Sequence, residues 1–437
     1  MTTWLLILIA YLPFQIAFNP VEGIDLSSLR VFIILFFLVF LIKQLKNKRF
    51  FFEIDFMGLC LIAFLFASFV SLFNAENIIW GLRKLVYFFS IFPLYFLVRY
   101  IIFNSKLSAN NFNRKFKKVG LALLGSSFFI SLIGLFQFFS QFIFGIKKVY
   151  NFFAINILPV FSGISFSSVV LTYQSWLVNV NGKDFLRAIS VFPDSHMLSF
   201  YCGMLLPLSI IFVLIYRLSG FYRLFFLIPF LLFFTTLTTF SRGGYFGVII
   251  SLILLSVLLF NSYRKTAVVI LLSLLIFIVP ITPFSLRFYS AFDLSEHSNL
   301  ERIKIWEKSL DIIGKNIFTG TGLGNYSLNI VSDINYRNPI TSHNLYLDIF
   351  SEAGILGFAI LLILGFWIFK NLLFKEKINV FAAGVISSFA YFLSHSFFET
   401  SIYNPVILGL IMIILAITSA YISICGLRTN INSLGAR

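Results

Sequence analysis

Apolar runs of about 20 residues recur along this chain, and they restrict its fold more than any other feature. A helix of that length crosses the hydrocarbon core of a bilayer with its backbone polar groups bonded internally. The chain has 437 residues, of which 59% are hydrophobic and 11% charged, and its mean hydropathy is +0.96. A soluble domain this apolar could not cover its surface with polar groups. The sequence predicts an all-α polytopic membrane protein.

The runs predict about twelve membrane-spanning helices. We place them at residues 4–19, 30–44, 55–75, 84–104, 119–142, 195–216, 221–239, 243–261, 265–284, 344–370, 378–397 and 402–424. Two long segments between spans, about 143–194 and 285–343, are predicted to lie outside the membrane core. No repeat, linker or low-complexity tract divides the chain, so we expect residues 1–437 to form a single integral membrane domain.

The basic residues orient this arrangement, because Lys and Arg gather in cytoplasmic loops. They cluster in the loops after every second span, at 43–49, 106–118, 217–223, 264–265 and 370–377, whereas the short loops 19–25, 239–243 and 397–402 on the other side hold only Arg242. We therefore expect both termini to be cytoplasmic and both long segments to be external. A net charge of +16 would suggest nucleic acid in a soluble protein, but these loops account for most of it here, so no nucleic acid is expected.

Residues 149–172 are apolar enough to pass for another span. A crossing there would move every later basic loop to the outside, against the charge rule. Asn151, Asn156, Pro159 and Gly163 also make a poor lipid-facing helix. We assign this stretch to the first external segment, lying on or dipping into the membrane interface.

In the second external segment, the pattern from Ser298 to Glu301 predicts a capping box that opens an amphipathic helix. Its apolar positions are Leu300, Ile303, Trp306, Leu310 and Ile313. Gly314 is expected to end the helix, and Gly320 to Gly324 to form a flexible turn. The scattered Cys60, Cys202 and Cys425 suggest no disulfide framework, and no spacing is typical of a metal site, so no cofactor is expected.

The pair His343-Asn344 lies where this polar segment re-enters an apolar run. An imidazole exchanges protons near neutral pH, which makes His343 a candidate base. Taken alone, it could equally be an interfacial residue that anchors a span. Asp348 and Glu352 follow on one helix face and could orient a basic partner or a sugar hydroxyl, or form a structural ion pair. A similar pair, His395 and Glu399, lies at the outer end of the next span.

Arg242 lies in a very short loop between two strongly apolar runs. An arginine there is costly unless it meets an anion or a hydrated cavity, or extends to the lipid headgroups. Its planar fork suits phosphate, and the neighbouring glycines permit close approach. Arg187 and Arg302 also lie near external span boundaries. Separately each could be a solvated charge, but together they suggest binding of a lipid-linked diphosphate.

Three stretches resemble elements of the O-antigen ligase and polymerase superfamily of bacterial membrane glycosyltransferases. They are Ser241-Arg242-Gly243, the glycine-rich run from Asn316 to Tyr326, and His343-Asn344 followed nine residues later by Gly354-Ile355-Leu356-Gly357. The resemblance implies a metal-independent, inverting transfer from an undecaprenyl-diphosphate-linked glycan to a glycan, lipid or protein acceptor. It implies a place in the bacterial cytoplasmic membrane.

By this resemblance Arg242, Arg187 and Arg302 hold the donor diphosphate, and His343 positions or deprotonates the acceptor hydroxyl. Asn344, Asp348 and Glu352 would support these groups. Whether the chain is a ligase or a polymerase stays open. A flippase for the same lipid-linked sugar is the alternative from another class, although transporters commonly carry ionisable groups deep in the bundle.

Overall fold

A computed structural model describes nine stretches of the chain: residues 2–21, 24–46, 54–102, 109–172, 175–216, 220–279, 281–331, 340–373 and 379–434. Parts of the basic loops (47–50, 103–108, 217–219 and 374–378) and of the second long segment (332–339) lie outside the described residues. Within the described part, the only strands form two antiparallel hairpins, β1 (Ala17–Val21) with β2 (Ile24–Ser27) and β3 (Leu177–Val180) with β4 (Lys183–Leu186).

Helices make up the rest of the secondary structure, with short 3₁₀ or π turns between some of them. The helices are α1 Thr2–Tyr11, α2 Ser28–Lys46, α3 Phe56–Ser71, α4 Ile78–Ile91, α5 Pro93–Ile102, α6 Ala109–Phe144, α7 Ile146–Phe152, α8 Leu158–Ser162, α9 Ile164–Thr172, α10 Ser195–Ile215, α11 Ile228–Thr238, α12 Arg242–Leu259, α13 Arg264–Ile278, α14 Pro283–Tyr289, α15 His297–Lys315, α16 Tyr326–Ile330, α17 Leu345–Leu373, α18 Val380–His395 and α19 Pro405–Leu434.

Eight helical stretches in the described residues are long and apolar enough to cross a membrane, which confirms a multi-pass helical protein. They are α2, the stretches 56–74, 78–102 and 112–144, α10, α12, α17 and the stretch 405–425. A ninth would be the pair α13 and α14, which is bent by 84°. The other three predicted positions hold shorter apolar helices, Thr2–Phe14, Arg223–Thr238 and Val380–His395. Every predicted position carries an apolar helix, while the exact number of crossings stays a prediction.

The short helix α18 is buried along most of its length because it packs between α10 and α12. Glycines allow these close crossings. A side chain at Gly203 of α10 or at Gly247 of α12 would meet the ring of Tyr391 on α18. These three helices form the centre of the bundle and carry three of the groups described below.

Contacts between loops define the two ends of the bundle. One end joins the described parts of the segments predicted to be external, which lie within 15–28, 71–77, 161–197, 239–242, 285–345 and 396–405. At the other end, Lys115 Nζ donates to the carbonyl of Ile101 at 2.6 Å, and the Tyr216 hydroxyl donates to that of Asn113 at 2.9 Å. For the loops that these contacts join, the fold groups the ends as the charge pattern predicts, while the orientation in the membrane stays a prediction.

The first long segment folds into α7, α8, α9 and the β3–β4 hairpin. Its helices are each too short to cross a bilayer and are broken at Gly163, whose φ is 102°. They enclose a small apolar cluster that includes Tyr150 and the fully buried Trp176. Asp25, beside the β1–β2 turn, accepts hydrogen bonds from the backbones of Ser165 and Phe166 at 3.4 and 3.2 Å. The segment is thereby attached to the N-terminal hairpin.

The predicted capping box in the second segment is wrong. Helix α15 begins one residue before Ser298, and no side chain caps it. The Ser298 hydroxyl instead accepts a hydrogen bond from Arg242. Three of the five predicted apolar positions, Leu300, Ile303 and Leu310, are exposed, whereas Ile313 is buried. The Ser298 side chain therefore bonds to Arg242 instead of capping the helix.

The glycine-rich run from Gly320 to Gly324, predicted to be a flexible turn, makes defined backbone contacts. Helix α17 is interrupted at Gly354 (φ 63°, ψ −166°), a conformation available essentially to glycine alone. Gly320 packs against this break. The Thr321 N–H donates to the carbonyl of Ser351 at 2.8 Å, and the Ile355 N–H donates to that of Ile317, also at 2.8 Å. Backbone hydrogen bonds therefore join two of the three family-like elements, the glycine-rich run and the segment that contains Gly354.

Candidate active site

His343 lies at the entrance to α17, held by two polar neighbours. Asn344 caps the helix, because its side-chain oxygen accepts hydrogen bonds from Tyr346 N at 3.0 Å and Leu347 N at 3.2 Å. The Ser342 hydroxyl donates to the Asn344 carbonyl at 2.7 Å. This tight turn gives His343 a φ of 51°, which aims its side chain away from the helix it precedes. Asn344 thus supports His343 through the backbone.

The partner of His343 is Glu399, in the loop after α18. The imidazole Nδ1 lies 3.1 and 3.3 Å from the two carboxylate oxygens. The His343 side chain is 41% exposed, whereas that of Glu399 is 12% exposed. A buried carboxylate on Nδ1 directs the proton of the neutral imidazole to that nitrogen and leaves Nε2 as an exposed acceptor. This is the geometry of a positioned general base.

The directions of the pKa shifts of His343 and Glu399 are consistent with a histidine base held by a carboxylate. The charge of Glu399 raises the pKa of His343 above its ordinary value of 6.5, against the opposing effect of burial. Burial raises the pKa of Glu399, but the charge and hydrogen bond of His343 and the nearby His196 and Arg302 outweigh it, so this pKa is lowered. Glu399 therefore remains a carboxylate at neutral pH, and its charge favours the protonated form of His343.

Ser241, the first residue of the Ser-Arg-Gly element, connects two further histidines. Its hydroxyl lies 2.9 Å from His196 Nδ1 and 3.1 Å from His395 Nε2. Arg187 Nη2 contacts His196 Nε2 at 3.3 Å, and because arginine can only donate, His196 must accept there. The hydrogen bonds therefore run in one direction, from Arg187 through His196 and Ser241 to His395. His196 Nε2 also lies 4.0 Å from Glu399, so this chain passes beside the His343 pair without a hydrogen bond to it.

Arg242 points into the same end of the bundle and is almost fully buried, with 5% of its surface exposed. Its Nη1 pairs with the carboxylate of Glu296 and reaches the Ser290 carbonyl at 3.4 Å, while Nη2 donates to the Ser298 hydroxyl at 2.9 Å. Arg287 donates to the other Glu296 oxygen at 3.2 Å. One carboxylate thus occupies the space between two guanidinium groups, the arrangement that an anionic ligand would take.

Backbone carbonyls of the protein already accept hydrogen bonds from Arg187. Its Nε donates to the carbonyl of Thr239 at 2.8 Å, and Nη1 contacts that of Ser175 at 3.5 Å. Burial and the neighbouring charge of Arg287 lower its pKa to about 10, which still leaves it charged at neutral pH. Arg187 therefore positions His196 and the loop before α12 as well as adding positive charge.

Arg302, on the inward side of α15, completes the group of arginines. Among the described residues no hydrogen bond or ion pair to its guanidinium is found, although it lies near the charges of Glu399, Arg287 and Glu296. Burial lowers its pKa, with the like charge of Arg287 acting in the same direction. Of the three arginines predicted to bind diphosphate, Arg302 is the one whose donors the described protein leaves available.

Asp348 and Glu352 lie apart from the arginines. Asp348 accepts hydrogen bonds from Ser342 N at 2.9 Å and from the Thr400 hydroxyl, so it ties the loop of His343 to the loop of Glu399. Glu352 forms an ion pair with Lys84, at 2.6 and 2.8 Å from Nζ. Asp348 thus organises the two loops, and Glu352 takes the structural role that its sequence position left open.

Sequence reasoning overlooked Glu296 and Arg287 and gave Glu399 little weight. Glu399 had one signal, an acidic residue in a short loop between two apolar runs, which is the argument that selected Arg242. Glu296 and Arg287 lie in a polar segment, where a charged residue is ordinary. Nothing in their spacing indicates that they meet Arg242. Among the residues that the structure describes, no cluster of three or more His, Cys, Asp or Glu side chains could hold a metal ion.

Part of this site lies in a segment that matches a known protein family. Residues 227–362 match the family model described as O-antigen ligase. That range contains all three family-like elements, from Ser241 to Gly357, but not Arg187 or Glu399. No curated protein matches the chain. The match confirms the predicted resemblance to the O-antigen ligase superfamily over this segment of the chain.

Proposed function

We propose that this protein is a membrane glycosyltransferase that transfers glycan from an undecaprenyl-diphosphate-linked donor to an acceptor hydroxyl. The observation that carries the proposal is the His343–Glu399 pair, which lies beside Arg187, Arg242, Arg287 and Arg302 at one end of the bundle. A base and a cluster of guanidinium groups are what transfer from a diphosphate ester requires. The family match supports a membrane enzyme of this type.

His343 Nε2 takes the proton of the acceptor hydroxyl as its oxygen attacks the anomeric carbon. Glu399 holds the ring at Nδ1 and stabilises the imidazolium that forms. The displaced group is the undecaprenyl diphosphate, whose developing negative charge the arginines stabilise. Attack from the face opposite the diphosphate inverts the anomeric carbon. Protein cations supply the electrostatic stabilisation, so the proposed step needs no metal ion.

The diphosphate binds by replacing the carboxylate of Glu296. Arg242 and Arg287 then turn their donors from that carboxylate to phosphate oxygens, and Arg302 adds the donors that the described protein leaves unused. Arg187 contributes through charge and through its hold on His196. This exchange substitutes one anion for another, so the buried arginines never face the site without a counter-charge.

The loops that form the site are those predicted to be external, which puts the reaction at the outer face of the bacterial cytoplasmic membrane. Both termini are then cytoplasmic. The acceptor is a glycan, lipid or protein hydroxyl: an acceptor on lipid or protein makes the enzyme a ligase, and a growing glycan makes it a polymerase. The site residues serve either reaction.

The proposal is tested by separating donor binding from transfer. His343→Ala is expected to lower glycan transfer by about 10²–10⁴-fold while leaving the affinity for the lipid-linked donor within about twofold of the parent. Arg302→Gln is expected to weaken donor binding by about 10-fold or more, since hydrogen bonds to charged groups contribute about 1.5–3 kcal/mol. Lys304→Gln, on the exposed side of the same helix, is the control and should change neither.

Transfer by His343→Ala at the parental rate would show that His343 is only an interfacial anchor. Donor uptake that crosses the membrane without any transfer product would favour the flippase alternative instead. The family match and the location of the polar groups at one end of the bundle argue against that outcome.

A further inference from the structure

A cavity of about 380 Å³ lies beside the candidate site, between the β1–β2 hairpin, α8 and α9, the start of α10 and the loop before α19. Its volume falls in the range of about 300–1,000 Å³ typical of small-molecule sites. The loops around it belong to the end of the bundle that is predicted to be external. None of the arginines assigned to the diphosphate lines it.

Aromatic rings and short polar groups share its walls. Phe161, Phe166, Tyr87 and Tyr403 supply apolar faces, and Gln15 adds an amide. Sugar rings present a C–H face to aromatic groups and hydroxyls to amides and carboxylates, so walls of this mixed kind suit a sugar.

The charge of the cavity excludes a phosphate as its natural occupant. Two carboxylates, Asp25 and Asp194, line it against one guanidinium, Arg30. Arg30 already donates to the Ser90 hydroxyl at 2.8 Å and lies 5.1 Å from the centre of the Tyr87 ring. Burial, followed by the charge of Glu399, raises the pKa of Asp194 to about 6, which leaves it largely ionised at neutral pH. A neutral polyhydroxyl ligand fits this balance better than an anion does.

Two lining residues connect the cavity to the site. Asp194 Oδ1 accepts the backbone N–H groups of His196 and Met197 at 2.7 and 3.0 Å, and His196 lies beside Glu399. Within the described residues Oδ2 of Asp194 has no hydrogen-bond partner. Thr400, which also lines the cavity, donates its N–H to Glu399 at 3.2 Å. The cavity therefore shares His196 with Arg187 but also reaches Glu399 through Thr400, which in the described part of the chain has no hydrogen bond to the arginines assigned to the diphosphate.

We propose that this cavity holds the terminal sugar of the acceptor glycan and presents its hydroxyl to His343. The inference rests on the proposed function and adds the acceptor class to it. A displacement that inverts the anomeric carbon needs the nucleophile and the leaving diphosphate on opposite sides of that carbon. Separate sites for the acceptor sugar and the diphosphate, each linked to the His343–Glu399 pair through neighbouring residues, are compatible with that requirement.

The experiment fills the cavity from two different lining residues. Ser162→Trp on α8 and Ala17→Trp on β1 each place a large ring in the lined space. Val160→Trp, two residues away on α8 and 46% exposed, is the matched control. The full chain in detergent is mixed with glucose, galactose or N-acetylglucosamine, and saturation transfer from protein to sugar protons is recorded by NMR. Thermal unfolding identifies any variant that does not fold, in which case the other decides.

We expect saturation transfer to at least one of the sugars in the parent chain, in Val160→Trp and in Arg302→Gln, and its loss in both blocking variants. No transfer to any sugar, or equal transfer in the blocking variants, would overturn the proposal. Displacement of the sugar by phosphatidylglycerol vesicles in the parent chain would also overturn it, because it would assign the cavity to a lipid headgroup.

A parallel titration with inorganic pyrophosphate tests the proposed function separately. Pyrophosphate should bind the parent chain and Ser162→Trp equally and bind Arg302→Gln more weakly. Failure of this titration alongside an intact sugar result would reject the diphosphate site and leave the sugar cavity standing.

Discussion

His343 and Glu399 are 56 positions apart in the sequence, yet their side chains meet at 3.1 Å. The first precedes one membrane helix and the second follows another. Their contact fixes the ring of an interfacial histidine against a largely buried carboxylate, as the proposed base requires. The site therefore depends on the meeting of two loops.

Replacing Glu399 by Gln should change the pH dependence of transfer as well as its rate. His343 acts as a base only when neutral, and Glu399 raises its pKa above 6.5, so transfer by the parent chain should rise with pH through a value above 6.5. In Glu399→Gln that cause is lost while burial still lowers the pKa, so the rise should move to lower pH. The maximal rate should fall about 10²-fold or more.

The measurement is a pH–rate profile of glycan transfer. Glu307→Gln, an exposed acidic position on α15, is the control and should keep the parental profile. An unshifted profile in Glu399→Gln would mean that another group supplies the titration.

Substitution of Arg242 should weaken donor binding, whereas substitution of Glu296 should strengthen it. Arg242→Lys keeps the charge but loses the planar fork, so donor binding and transfer should both fall about 10-fold or more, and Arg242→Ala should impair them further. Glu296→Gln weakens the internal competitor for Arg242 and Arg287, so donor binding should improve. Direct binding of the lipid-linked donor measures both. Full activity in Arg242→Lys would exclude bidentate contact with the diphosphate.

Labelling with a membrane-impermeant maleimide tests the orientation. Lys308→Cys, exposed on α15, should react in intact cells. Asn261→Cys, in the exposed turn after α12, should react only once the cells are opened. The parent chain, with its own three cysteines, gives the background. The reverse pattern would place the site on the cytoplasmic side and contradict the proposed function.

The break in α17 should be intolerant of any side chain. Gly354→Ala places a Cβ against the Phe318 carbonyl in a conformation that costs about 1–3 kcal/mol for other residues. We expect a lower unfolding temperature together with reduced transfer. Gly365→Ala, in the same helix with nothing near its Cβ position, should keep or raise stability, because alanine favours a helix over glycine. Equal stability of the two variants would show that the break is not required.

The membrane architecture could be anticipated because apolar length and loop charge act locally along the chain. The number of crossings could not, since helices such as α18 are protected by α10 and α12 and need not be long enough to face lipid by themselves. Helix α15 shows the same limit. Its sequence pattern predicts a cap at Ser298, but the structure uses that hydroxyl for Arg242.

The residues of the candidate site also fall into two groups: those that the sequence indicates and those that only the fold reveals. His343 and Arg242 stand out because polar residues at apolar boundaries are costly without a purpose. The partners that define their chemistry, Glu399 and Glu296, are distant in sequence or lie in polar surroundings. The contact that pairs each of them with its basic residue exists only in the folded chain.

Asp348 has one more consequence, for an enzyme that works in a bilayer of variable thickness. Helices that span a membrane change their tilt to match the lipid around them, and α17 and α19 could do so independently. By bonding to both Ser342 and Thr400, Asp348 fastens the two loops at their outer ends, where such tilting pivots. We expect this link to keep the distance between His343 and Glu399 nearly constant as the lipid composition changes, so glycan transfer should tolerate membrane remodelling that alters the rest of the bundle.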